Sequence, residues 1–202
     1  MTARVAFPEL DHVLNDVKDA WTSAVRNRKS PLHTPVVCSA DEQTPFPRIM
    51  VLREVMDGCS GLRFHTDARS AKAHQIGSGA HVAVLGYDPE ERVQFTLRGT
   101  GRIEPDSDTA EAAWSTSALS SRRCYLAEYA PGTAVEKPTS GLPQTMLARA
   151  PTAEESAAGR SNFCILMIDL TEIEWLKLTS CGNQRARFRR HGDQWQGQWI
   201  TP

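Results

Sequence analysis

The sequence predicts an antiparallel β-barrel with helices appended, and three observations carry that expectation. Apolar, β-branched runs recur along the chain in hairpin succession, parted by short turn-forming stretches. Strands do not alternate regularly with helices and no GxGxxG occurs, which argues against a doubly wound parallel sheet. Gly99 and Gly101 lie inside a long strand-like run over 92–103, where glycines suggest a bulge or sharp bend that lets a sheet curl.

The first element is a helix. Leu10, Val13, Leu14, Val17, Trp21, Ala24 and Val25 recur at spacings of three and four, forming one apolar stripe over about four turns within 10–28. Pro31 and its polar neighbours end it. Residues 34–40 and 49–55 then read as neighbouring antiparallel strands, with 41–47 between them of turn composition.

Residues 62–66 alternate, with Leu62, Phe64 and Thr66 on one face and Arg63 and His65 on the other. Asp67 and Ser70 are good N-cap residues, and 71–76 fit a short helix that Gly77 and Gly79 stop. A strand therefore feeds a helix N-terminus carrying Arg69 and Lys72. Such a junction has the chemistry of a phosphate site, and equally that of a capped surface helix with solvated cations.

Residues 81–87 and 92–103 form the next hairpin, and 105–118 a second helix. Between 128 and 160 the chain is rich in Pro, Gly, Ser, Thr and Ala without sustained period, which reads as a long loop. Residues 163–170, 173–178, 184–190 and 195–200 supply the last strands, for about eight in all, and one domain spans 1–202.

Composition narrows the function. The 23 basic and 24 acidic residues leave a net charge of −1, which gives no reason to expect a nucleic-acid partner. Five cysteines without a CxxC pair fit a reducing, cytoplasmic compartment, and four beside apolar runs read as buried thiols. His65 and His74 lack partners at metal-ligand spacing, so no metal site is expected. Residues 1–8 show no leader pattern, and no apolar run approaches the ~20 residues that span a bilayer.

Taken together, Arg48-Ile49-Met50-Val51-Leu52-Arg53, Phe64-His65-Thr66-Asp67, Ser70-Ala71-Lys72-Ala73-His74-Gln75-Ile76, Arg92-Val93-Gln94 and Arg185-Ala186-Arg187-Phe188 resemble, in order and spacing, the pyridoxamine 5'-phosphate oxidase family. The resemblance covers 34–103 and 163–202. It implies an antiparallel FMN-binding split barrel, homodimeric, with FMN at the dimer interface. Arg48, Thr66 and Lys72 would hold the flavin phosphate, with Ser70 or Arg69 adding a contact beside His65. Ile49, Met50, Val51, Leu52 and Arg53 would run along the isoalloxazine ring, while Gln94, Trp175 and Arg187 would approach it. Arg53 and Arg185 fall at substrate positions.

Departures from the family pattern accompany these matches. Ala71 stands where the family commonly has arginine before the lysine, so Arg69 would substitute from another position. The family's Arg-x-His pair becomes Asn183-Gln184-Arg185, and its second-helix tyrosine and arginine fall near Trp114 and Ala118. The resemblance therefore implies an FMN-dependent oxidoreductase with altered substrate residues. A non-catalytic flavin carrier or sensor is the alternative, as is a split barrel taking a deazaflavin or pyridoxal phosphate. From the residues alone, Arg48 and Arg53 also fit cross-strand pairing with Glu54 or Glu91, and Gln94 an exposed strand face.

Overall fold

The computed structural model describes residues 8–41 and 44–202. Over these residues the chain forms two compact units, one from 8–41, 44–63, His81–Thr100 and Ile168–Pro202, the other from Phe64–Ala80 and Gly101–Met167. The nine strands of the described residues are, in sequence order, β1 (Val36–Asp41), β2 (Thr44–Ile49), β3 (Leu52–Val55), β4 (Gly61–Asp67), β5 (Ala80–Asp88), β6 (Val93–Glu104), β7 (Phe163–Lys177), β8 (Gln184–His191) and β9 (Gln194–Ile200). The sheet runs β2-β1-β5-β6-β7-β4-β3, with β8 pairing β7 and β9. It is mainly antiparallel with appended helices, and it is not closed into a ring.

In the first unit, α1 (Leu10–Arg26) buries the predicted stripe Val13, Leu14, Val17, Trp21 and Ala24. It packs against β3 and β9, and Trp21 meets Phe95 edge to face at 6.1 Å. The second unit has its own core. Trp114 and Ala110 on α3 (Asp108–Thr116) join Tyr125, Phe163 and Ile165 there, with Phe163 edge-on to both Tyr125 and His65. Aromatic edge-to-face pairs of this kind add to the area they bury.

Several expectations are corrected by the strand pairing. Residues 44–47, read as turn, belong to β2, which pairs β1 with Ala40 opposite Pro45 and Cys38 opposite Pro47. Proline cannot donate to a ladder, but an edge strand bonds on one side only, so two prolines are tolerated there. The expected strand over 49–55 is broken: Ile49 ends β2, Met50 and Val51 lie outside strands, and β3 begins at Leu52. The neighbours of β1 are therefore β2 and β5. Residues 42 and 43 of the expected turn, and 1–7 of the N-terminal reading, lie outside the described residues.

β6 runs over Gly99 and Gly101 as one strand of 12 residues. At Gly99 a Cβ would collide with the Asp169 carbonyl, a close backbone approach that requires glycine. The runs read over 163–170 and 173–178 form a single strand, Phe163–Lys177, of 15 residues. The loop over 128–160 contains α5 (Ala153–Ala157), opened by a capping box in which Thr152 and Glu155 bond each other's backbone N–H. Among the cysteines, Cys59 and Cys164 are buried, Cys38 is half-buried, and Cys124 and Cys181 are exposed, so burial holds for fewer than expected. No helix of the described residues is long and apolar enough to cross a membrane.

Candidate functional site

The residues nominated from sequence divide between the two units. In the second, β4 runs into α2 (Ala71–Ile76) as expected, with Ser70 as N-cap. The Ser70 hydroxyl donates to the Asp67 carbonyl at 2.6 Å and accepts from the Ala73 N–H at 3.4 Å. Ser70 is thereby committed to the turn. Arg69 is committed too, since its Nε and Nη2 donate to the two Asp67 carboxylate oxygens at 3.0 and 2.8 Å and its Nη1 reaches the Ala127 carbonyl. That pairing raises the Arg69 pKa above its usual value.

The junction also brings Lys72 and Thr66 together. Lys72 Nζ donates to Thr66 Oγ1 at 3.0 Å, with the threonine buried and the lysine half-buried. An ammonium is a compact charge with three donors, a chemistry suited to phosphate oxygens. With only six residues, α2 offers no extended dipole of its own. His65 lies against the Phe163 ring in the core of this unit, on the half-buried face of β4.

In the first unit, Arg48 on β2 donates from Nη1 to the buried Ser39 hydroxyl at 2.8 Å. Burial lowers the Arg48 pKa, and the neighbouring Cys38 works in the opposite sense. Ile49 is 70% exposed, whereas Met50 and Leu52 point into the core and Val51 is half-buried. Arg53 has a buried Nε without a hydrogen-bond partner among the described residues. Neither arginine takes the ion-pair role weighed from sequence: Glu54 pairs with Arg63 at 2.8 Å and Glu91 with Lys177 at 3.1 Å. Gln94 is half-buried between the buried Val93 and Phe95.

Trp175 and Arg187 project from opposite faces of the sheet. Trp175 pairs in register with Ala186 and Glu174 with Arg187, and successive strand residues face opposite sides. Trp175 stacks edge-on against Trp199 at 6.3 Å. Arg187 instead meets Glu174, its Nε and Nη2 donating to Oε1 at 2.9 and 2.8 Å, while Arg185 donates to Oε2 at 2.7 Å. Burial acts to raise the Glu174 pKa, but these hydrogen bonds and the nearby Arg98 bring it down to about 2. The carboxylate is ionised at neutral pH.

Sequence reading missed Glu172 and Glu174, Asp67 and Ser39 as partners of the nominated cations. A signal for the glutamates is present: acids alternate at 172 and 174 as arginines alternate at 185, 187 and 189. Only the register makes them opposites.

The donor set suits FMN at some positions and has other work at others. Lys72 with Thr66, and the unpartnered Nε of Arg53, are donors fit for a phosphate and a ring carbonyl. Arg69 and Ser70 already bond the protein.

Residues 16–105 match the family model described as pyridoxamine 5'-phosphate oxidase, FMN-binding domain. A pyridoxamine 5'-phosphate oxidase-related, FMN-binding protein from Nostoc punctiforme PCC 73102 has the same fold at TM-score 0.70 and 20% identity, over 98% of this chain and 100% of that one. PhzG from Burkholderia lata 383, in complex with tetrahydrophenazine-1-carboxylic acid, matches at TM-score 0.67 and 15% identity over 100% of both chains. A Clostridium acetobutylicum protein related to general stress protein 26 of Bacillus subtilis matches at 0.53 and 12%, over 87% of this chain and 94% of that one. No curated protein matches the sequence significantly. The chain thus matches that family model over 16–105, and its open, mainly antiparallel sheet has the fold of these solved structures.

Proposed function

We propose that the protein binds FMN and works as a flavin-dependent oxidoreductase on a small molecule. The observation that carries this reading is the Lys72–Thr66 pair at the end of β4, inside the segment that matches an FMN-binding domain. In the second unit Lys72 and Thr66 are assigned to the phosphate. In the first, Arg48 and residues 49–53 keep the flavin roles that the family resemblance implies, and Arg53 Nε–H is a buried donor. FMN, when bound, supplies the two-electron acceptor, and the chain supplies binding, orientation and electrostatics. Arg53 and Arg185 are the residues assigned to substrate.

The working form in this reading is a cytoplasmic homodimer. Its support is an uncovered apolar row in the first unit: Ile49, Val36 and Leu85 stand opposite one another across β2, β1 and β5. Ile49 and Leu85 are 70% and 42% exposed. Large apolar side chains in a row are what an interface buries. Sedimentation equilibrium of the wild type and of Ile49→Glu tests it, a dimer that the variant dissociates being the expected result.

One observation favours a second reading, a flavin carrier without turnover. Glu174 compensates the charge of Arg187, which weakens any stabilisation of negative charge on a reduced ring by that arginine. The visible spectrum of the purified protein after FMN addition and gel filtration tests binding, with near one equivalent of flavin per chain expected. Turnover with amine and hydride donors then separates enzyme from carrier. Protein that retains no flavin while folded refutes both.

A further inference from the structure

Three strands end the sheet of the described residues, β2, β3 and β9, and they are guarded unequally. β2 carries Pro45, Pro47 and Arg48, and β3 is only four residues long with Arg53 and Glu54. Prolines, charges and shortness are what keep an open edge from pairing with another strand. β9, Gln194-Trp195-Gln196-Gly197-Gln198-Trp199-Ile200, has none of these. Its register with β8 is unbroken from Gln194 to Ile200, so no bulge turns it away either.

The hairpin fixes which backbone groups face outward. Gly192 and Asp193 form a two-residue turn, which makes His191 and Gln194 a hydrogen-bonded pair, and such pairs alternate along an antiparallel ladder. Gln194, Gln196, Gln198 and Ile200 therefore bond β8, while the N–H and C=O groups of Trp195, Gly197 and Trp199 point to the open edge. No strand lies on that side among the described residues, and these groups enter no loop hydrogen bond there.

The order of residues selects the partner. Residues 195–199, Trp-Gln-Gly-Gln-Trp, read the same in both directions. Two copies of β9 laid antiparallel about a two-fold axis at Gly197 place Trp195 opposite Trp199, Gln196 opposite Gln198 and Gly197 opposite itself. No like charges meet, the glutamines form an amide ladder, and each Trp199, already edge-on to Trp175 at 6.3 Å, gains a second indole. We propose that β9 is a strand-pairing surface for a second copy of this chain, joined antiparallel in that register. A single pair of seven-residue strands is a small contact of the transient class, so it adds to an assembly through the Ile49 face rather than replacing it. It needs neither that face nor the flavin reading.

Register-specific cross-linking of the full chain tests it, with the exposed Cys124 and Cys181 changed to serine. Gln196 and Gln198 are exposed, so cysteine at either position does not threaten the fold, and near-ultraviolet circular dichroism checks that. In the proposed register they form a non-hydrogen-bonded pair with Cα atoms about 4.5 Å apart, within disulfide reach. Two copies of Gln196, or of Gln198, stand diagonally at about 8 Å, which is beyond it. On oxidation with copper phenanthroline, Gln196→Cys mixed with Gln198→Cys is expected to give covalent dimer at least about tenfold faster than either variant alone. The same excess is expected when both chains also carry Ile49→Glu. The proposal is overturned by absent cross-linking in the mixture, by equal rates for the separate variants, or by loss of the cross-link with Ile49→Glu.

Discussion

Lys72 Nζ lies 3.0 Å from Thr66 Oγ1, tying the second residue of α2 to the penultimate residue of β4. The contact holds an ammonium and a hydroxyl side by side while Arg69 and Ser70 are occupied with Asp67. Lys72→Ala is therefore expected to weaken FMN binding by about tenfold or more, since a charge-assisted bond to phosphate is worth about 1.5–3 kcal/mol. Quenching of FMN fluorescence on titration measures it. Arg69→Ala, which leaves that pair intact, is expected to lose less affinity than Lys72→Ala, and the reverse order would reject the assignment.

The hydroxyl of Ser70 should appear in stability. Ser70→Ala removes the acceptor of the Ala73 N–H and the donor to the Asp67 carbonyl. Loss of an N-cap costs about 1 kcal/mol. Urea denaturation of Ser70→Ala should show that loss, with Ser70→Asp recovering part of it.

Glu174 gives a pH signature. Its folded pKa, about 2, lies below the ordinary 4.5, so the stability it contributes is present above 4.5 and is lost as pH falls toward 2. Glu174→Gln removes the carboxylate shared by Arg185 and Arg187 and should cost about 3 kcal/mol at neutral pH. Between pH 4.5 and 2 the urea midpoints of variant and wild type should converge. A gap that stays constant across that window would remove Glu174 as the ionised partner.

Gly99→Ala places a Cβ against the Asp169 carbonyl, with backbone on both sides and no flexible end to yield. Overpacking of this kind costs about 1–3 kcal/mol. A thermal melt should show the midpoint falling, whereas Gly192→Ala adds a Cβ to open space and tests only the cost of its positive φ.

The five thiols should react in classes. Burial pushes Cys59 up to about 12 against a small opposing effect of Lys18, and burial with Asp67 pushes Cys164 to about 12 against Lys72 and Arg160. Thiolate is the reactive form. At pH 8 an aromatic disulfide reagent should label the exposed Cys124 and Cys181 first, and Cys59 and Cys164 only after denaturant is added. Fast labelling of all five would contradict this burial.

Patterns of short range were legible in the sequence. The stripe of α1, the alternation of Leu62, Phe64 and Thr66, the Ser70 cap and the β8–β9 hairpin depend on neighbours within a turn or a strand, where helix and strand periods act. The edge strand β2 was hidden because its prolines have turn composition, and only its place at the sheet edge makes them acceptable. α5 was hidden by five residues of weak period, although Thr152 and Glu155 have the capping-box spacing.

The sequence by itself determined α1, the β4–α2 junction, the β8–β9 hairpin and the cations offered there, because each is written in residues close along the chain. Tertiary structure decided which of those cations are already engaged. Asp67 holds Arg69, Ser39 holds Arg48, and Glu174 holds Arg185 and Arg187. The pairing of Glu174 with Arg187 is fixed by the β7–β8 register, and a slip of one residue would put the two on opposite faces. A guanidinium's charge is local to its residue, but its availability depends on the carboxylate that folding brings beside it.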